Sequence, residues 1–228
     1  MKKIAAFIAS GSGMGADAAK HLKKRGYNIA IMSSSGKGKK LAEDLGGLGF
    51  NGSNLVIEDI NDFIDKVYSK YGKIDVLINS AGHGPKGDIL DISDDNWING
   101  MEIYFLNVVR AVRIITPIMQ KQKSGSIINI STFAIFEPDS NFPTSSVFRS
   151  GLAAFTKIYS DKYAKDNIRM NNILPGFIDS LPVKKEFLKK IPLKRYGKVS
   201  EISSVVEMLA SEGGAYITGQ NIRVDGGI

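Results

Sequence analysis

Short apolar runs alternate along the chain with longer amphipathic stretches. IAAFIA (4–9), NIAIM (28–32), NLVI (54–57), DVLINSA (75–81), GSIINIS (125–131), RMNNIL (169–174) and NIRV (221–224) read as buried strands. Runs this apolar belong to strands covered on both faces, as in a parallel sheet. Between them lie helix patterns: ADAAKHLKKRG, KGKKLAEDLGG, DFIDKVYSKYG, the long WINGMEIYFLNVVRAVRIITPIMQKQ, SVFRSGLAAFTKIYSDKYAKD and EISSVVEMLAS. Strand and helix in alternation predict one doubly wound α/β domain over residues 1–228, with a seven-stranded, mostly parallel sheet and helices on both faces. Its crossovers are expected to be right-handed, and its ligand to lie at the carboxyl ends of the strands. The least regular segment is FIDSLPVKKEFLKKIPLKRYGK (177–198).

Composition narrows this picture. With 228 residues, 43% hydrophobic and 23% charged, the chain is large enough for one ordinary core. It has no cysteine, and its two histidines, His21 and His83, stand far apart. Thiol chemistry is therefore excluded, and no metal site is expected. No apolar run reaches the roughly 18 residues that span a bilayer, so no membrane partner is expected. The opening MKKIAAFIASGSGMG runs into a glycine loop and reads as a first strand rather than an export signal, which leaves cytoplasmic residence as the expectation. The net charge of +7 suits a solvated basic surface or an anionic ligand. The lysines do not interleave with aromatic residues, and nucleic acid is not expected as a partner.

The first strand is followed by Ser10-Gly11-Ser12-Gly13-Met14-Gly15 and then a helix. Such a loop lets the backbone approach a phosphate, which the free N–H groups and dipole of the helix end attract. A carboxylate at the end of the second strand usually grips the ribose diol of a dinucleotide. Here Ser33, Ser34 and Ser35 stand there instead, with Lys37, Lys39 and Lys40 close behind. Hydroxyls and cations suit a 2′-phosphate, so the expected cofactor is NADP(H) in preference to NAD(H).

At this point the chain resembles the short-chain dehydrogenase/reductase family, most closely its 3-oxoacyl-carrier-protein reductase-like branch, over almost its whole length. Ser12-Gly13-Met14-Gly15 matches the glycine motif, with Ala9 in place of its first glycine. Asp59-Ile60 resembles the pair that touches the adenine. Asn79-Ser80-Ala81-Gly82 is similar to the turn after the fourth strand, and Asp95-Asn96-Trp97 to the start of the next helix. Pro175-Gly176-Phe177-Ile178 matches the turn beside the nicotinamide, with Ser180 for its usual Thr, and the tail from Ile191 is close to the family pattern. The resemblance implies a Rossmann-like fold and a cofactor held by Ser10 through Gly15, Ser33, Ser34, Lys37, Asp59, Ile60, Asn79, Ala81, Gly82, Arg149, Pro175, Gly176 and Ile178.

The departures fall on the family's catalytic Asn, Ser, Tyr and Lys. Gapless counting puts Tyr104, Thr132, Ser145 and Arg149 at those four positions. The family's tyrosine protonates the substrate oxygen, and its lysine lowers that tyrosine's pKa and holds the ribose. A serine hydroxyl is a poor general acid, and arginine keeps its charge without releasing a proton. Thr132 would orient a carbonyl and Arg149 would hold the ribose. Ser145, Tyr104 and His83 remain the candidate proton donors, with Glu137 in a loop bordering the substrate. Tyr104 also reads as a packing residue, His83 as a loop histidine and Glu137 as a solvated carboxylate.

By resemblance, residues 177–198 cover the substrate as a lid. Residues 184–198, KKEFLKKIPLKRYGK, hold seven basic residues and one acidic one. They suit an anionic substrate, such as an acyl group on a phosphopantetheine carrier or CoA, or simply form a solvated face. The resemblance implies an oxidoreductase that moves hydride to or from a carbonyl or activated C=C bond, and a homotetramer or homodimer built on the long central helices. The alternatives are a protein that binds cofactor without turnover, as a sensor or partner subunit, and a structural subunit that no longer binds the nucleotide.

Overall fold

The computed structural model describes residues 2–228. Seven strands form a single sheet: β1 (Ile4–Ile8), β2 (Asn28–Ser33), β3 (Leu48–Asn51), β4 (Val76–Asn79), β5 (Gly125–Ile130), β6 (Ile168–Pro175) and β7 (Asn221–Val224). Their order is β3-β2-β1-β4-β5-β6-β7, and every adjacent pair is parallel. The chain starts in the middle of the sheet and winds outward both ways, so the switch point lies between β1 and β4. Ligand crevices of open α/β sheets form at such a point.

Eight helices connect the strands: α1 (Gly13–Lys24), α2 (Lys37–Asp44), α3 (Ile57–Tyr71), α4 (Asp94–Met101), α5 (Asn107–Gln122), α6 (Pro143–Tyr163), α7 (Lys185–Lys190) and α8 (Val199–Ala210). Local chemistry explains several boundaries. The Ser93 hydroxyl accepts the Asn96 N–H and starts α4. Pro143 occupies the first turn of α6, where a missing N–H costs nothing. Two apolar clusters sandwich the sheet. One packs Ile8, Met32 and Leu77 against Phe63, Val112 and Leu152 of α3, α5 and α6. The other packs Phe7, Ile31 and Ile78 against Leu22 and Val206 of α1 and α8.

Three expectations are corrected. Residues 54–57 are not a strand: Leu55 and Val56 are 38% and 41% exposed, and Ile57 begins α3. The edge strand is Leu48–Asn51, where Gly49 lies so close to α2 that a Cβ would fall 2.6 Å from Lys39 Cα. The same boundary decides where the pair expected to touch the adenine falls. Asp59 and Ile60 lie inside α3, with Ile60 fully buried in the core. The Asp59 carboxylate accepts the Ser53 N–H. Gly52-Ser53, not that pair, directly succeeds the end of β3. The long central helix is also interrupted, by a π-helical turn over Glu102–Leu106 between α4 and α5.

Four side-chain amides cross the sheet in line. Asn79 donates to Asn129, Asn129 to Asn172, and Asn172 to Asn221, at 2.7–2.9 Å. The backbone register places them directly opposite one another on β4, β5, β6 and β7.

Candidate active site

A cavity of about 480 Å³ opens at the carboxyl edge of the sheet. Each wall comes from an element that ends there. Met14 from the start of α1, Ala81, Gly82 and His83 after β4, and Tyr104 from the π-helical turn line it. Thr132 after β5, Ser145 and Arg149 from the first turns of α6, and Pro175 at the end of β6 with Gly176 and Ile178 after it complete that part. Tyr104, Thr132, Ser145 and Arg149, the four residues expected at the catalytic positions, are thus brought together with His83.

The rest of the expected cofactor set lies to one side. Ser10 is fully buried and its hydroxyl donates to the Ile8 carbonyl, so only its main chain can serve a ligand. Ser12 caps α1 with no side-chain bond, and the first turn of α1 has no acidic residue, so its N–H groups remain open to an anion. The buried Ser33 hydroxyl accepts the Gly38 N–H and anchors α2, while Ser34 and Lys37 are exposed. None of these residues lines the cavity. Glu137 faces Arg223 at 3.7 Å and does not line the cavity.

Arg149 is 7% exposed. Nη1 donates to the Ile130 carbonyl at 2.8 Å, and the guanidinium carbon stands 4.7 Å from the centroid of the Tyr104 ring. Its Nε is buried without a partner. Burial pushes the guanidinium down to about 10, opposed by Tyr104. Tyr104 is 6% exposed, and its oxygen accepts the Gly84 N–H at 2.5 Å. Thr132 accepts the Ala134 N–H at 3.3 Å. Burial, then Lys86 and Arg149, push His83 below its ordinary range, so neutral imidazole dominates at pH 7. Ser131 Oγ and Asn79 Oδ1 are further buried polar atoms without a partner, at the ends of β5 and β4. The unpaired Ser131 Oγ and Arg149 Nε on the cavity lining, with the open end of α1 beside it, fit a polar, phosphate-bearing dinucleotide.

The sequence reading did not anticipate the aromatic wall opposite. Phe187 of α7 stacks on Phe177 with centroids 4.3 Å apart, and Phe177 lies 5.3 Å from Phe133 and 5.8 Å from Tyr196. Lys190 Nζ reaches Asp139 Oδ2 at 2.8 Å, and Lys184 N–H donates to the Tyr196 hydroxyl at 3.0 Å. The visible signal was Phe177 and Phe187 within an otherwise polar, lysine-rich segment. Ser131 and the asparagine line were missed too, although asparagines inside apolar strand runs are unusual. Among the described residues no group of three or more His, Asp or Glu side chains could hold a metal ion. No described helix is long and apolar enough to cross a membrane.

Known proteins match this geometry. A family model described as "Enoyl-(Acyl carrier protein) reductase" matches residues 8–228. The 3-oxoacyl-acyl-carrier-protein reductase FabG of Thermotoga maritima is 33% identical over 178 residues, covering 75% of this chain and 72% of that protein. FabG of Staphylococcus aureus is 30% identical over 245 residues, covering 100% and 98%. The crystal structure of 3-ketoacyl-(acyl-carrier-protein) reductase from Brucella melitensis complexed with NADH superposes with a TM-score of 0.93 at 23% identity, covering 99% of this chain and 97% of that one, and shows the same fold. By its matched length and its shared sheet, the chain belongs to the short-chain dehydrogenase/reductase family, in its 3-oxoacyl-acyl-carrier-protein reductase-like branch.

Proposed function

We propose that the protein is an NADP(H)-dependent oxidoreductase acting on the carbonyl or activated C=C bond of a small acyl substrate, anionic or carrier-bound. The observation that carries this reading is the convergence of α1, the Gly82 turn, Thr132, Ser145, Arg149 and the Pro175–Gly176 turn on one cavity. The relatives are reductases of acyl-carrier-protein thioesters by name, which favours turnover over a cofactor-holding subunit without it.

The α1 N-terminus would receive the diphosphate. Exposed Ser34 and Lys37, with no carboxylate at the end of β2, favour the 2′-phosphate of NADP(H). Arg149 has guanidinium N–H groups left to hold the nicotinamide ribose, and Thr132 Oγ1 would orient the substrate carbonyl. When bound, the reduced cofactor supplies a hydride to the substrate carbon. Residues 177–198 would form the lid, with Phe177 and Phe187 excluding water and Lys184 drawing in negative charge. Self-association through α5 and α6, as a dimer or tetramer, is supported by exposed Val147 and Ile158 on α6. Cytoplasmic residence remains our expectation.

Intrinsic-fluorescence titration with NADPH and NADH, followed by turnover with acetoacetyl-CoA and crotonyl-CoA, tests the proposal. We expect tighter binding of NADPH and measurable reduction of at least one thioester. Binding of neither nucleotide would refute it. The double variant Ser145→Tyr/Arg149→Lys should keep NADPH binding and ketone reduction, as expected of a scaffold that accepts the family's usual pair at these two positions.

A further inference from the structure

We propose that Tyr104 is the proton donor of this site and that Arg149 holds the phenolate left when the proton departs. The proposal rests on the reductase reading above and specifies how that site completes its reaction.

Tyr104 lines the cavity together with Thr132, Ser145 and Arg149. Its oxygen accepts the Gly84 N–H, and among the described residues its own O–H has no acceptor. The proton is therefore free to be given to a substrate. The Gly84 N–H would bond a phenolate more strongly than a phenol, because hydrogen bonds to ions are the stronger kind. Arg149 lies over the ring face at 4.7 Å. Among the described residues no carboxylate pairs with it, so its charge is available to the phenolate. The contact also requires a particular neighbour. A Cβ on residue 84 would fall 2.6 Å from the Tyr104 ring, so only glycine admits this approach.

The other donors are weaker. Ser145 carries an aliphatic hydroxyl, too weak an acid to protonate an alkoxide usefully. His83 is held in its neutral form. The Tyr196 oxygen accepts the Lys184 N–H at the lid. The charged and titratable groups on the walls around Tyr104 are His83 and Lys86 from the loop after β4, Arg149 from α6, and Lys184, Glu186 and Tyr196 at the lid.

The step balances. Hydride forms the new C–H bond at the carbonyl carbon, the C=O π pair moves to oxygen, and that oxygen takes the Tyr104 proton. The O–H bonding pair stays on the phenolate, and water at the cavity mouth restores the phenol. With a conjugated C=C bond, hydride adds at the β-carbon and the electron pair reaches the carbonyl oxygen. That oxygen takes the same proton, and the enol passes it to the α-carbon through water.

The test uses the full chain with NADPH and acetoacetyl-CoA, or crotonyl-CoA if the ketone is not reduced. Tyr104→Phe should lower kcat by about 10²–10⁴-fold while NADPH affinity is kept, and should abolish the fall of kcat at alkaline pH. If that variant does not fold, 3-fluorotyrosine at position 104, a more acidic phenol of nearly the same shape, should move the alkaline fall to lower pH. Wild-type kcat and pH profile in both variants would overturn the proposal. Failure of the wild type to reduce either thioester would instead count against the reductase reading. The ¹⁹F resonance of the fluorinated residue still tests the couple in cofactor-free protein. Its titration midpoint should rise on Arg149→Met and partly return with Arg149→Lys, and an unmoved midpoint would overturn the Tyr104–Arg149 couple.

Discussion

Ala9 holds φ +54°, at the position where the family has glycine. A side chain in the left-handed region costs roughly 1 kcal/mol or more. Ala9→Gly should therefore stabilise the fold by about 0.5–1 kcal/mol despite the added chain entropy, measured as a higher urea midpoint at unchanged slope. Single residues were unevenly legible in the sequence. Gapless counting placed Thr132, Ser145 and Arg149 in the cavity because the elements carrying them are rigid and their spacing is fixed. It could not show that Tyr104 and Arg149 face each other, because that contact joins two helices whose packing no local pattern encodes.

The element that most directly controls access is α7. It is tied down by the Phe187–Phe177 stack and by Lys190 on Asp139. Burial would raise the Asp139 carboxyl, but its hydrogen bonds with Lys190 and Asn141 hold it below the usual carboxylate range. The tether is thus complete above pH about 4 and is lost as pH falls further. Lys190 is half exposed, so the pair is worth at most about 1 kcal/mol. Lys190→Met should raise KM for a thioester roughly two- to fivefold with little change in kcat, checked by steady-state kinetics. Among the elements, six of the seven strands were readable from apolar runs, since burial on both faces leaves an uninterrupted pattern. The edge strand LGFN was not, because an edge needs little apolar surface and Gly49 is set by the closeness of α2. NLVI misled because its apolar residues only introduce α3.

Across the whole molecule, the net charge of +7 and the lysines around the cavity should draw anions in. The kcat/KM for acetoacetyl-CoA should fall as salt rises from about 10 to 500 mM, while that for an uncharged ketone should not, because screening acts on the attraction alone. The line of asparagines acts on the same scale. Asn129→Leu leaves the Asn79 Nδ2 without an acceptor and removes one donor from the Asn172 Oδ1. It should cost roughly 2–4 kcal/mol, read from equilibrium denaturation. Parallel strands of similar, nearly featureless apolar sequence could otherwise slide past one another with little penalty. A one-residue slip of β5 or β6 would turn its amide to the opposite face and strand its neighbours in hydrocarbon. The four amides thus serve the folding chain as a ruler: of all the ways this half of the sheet could assemble, only the one that aligns every mark brings Thr132 and the Pro175–Gly176 turn to the same rim.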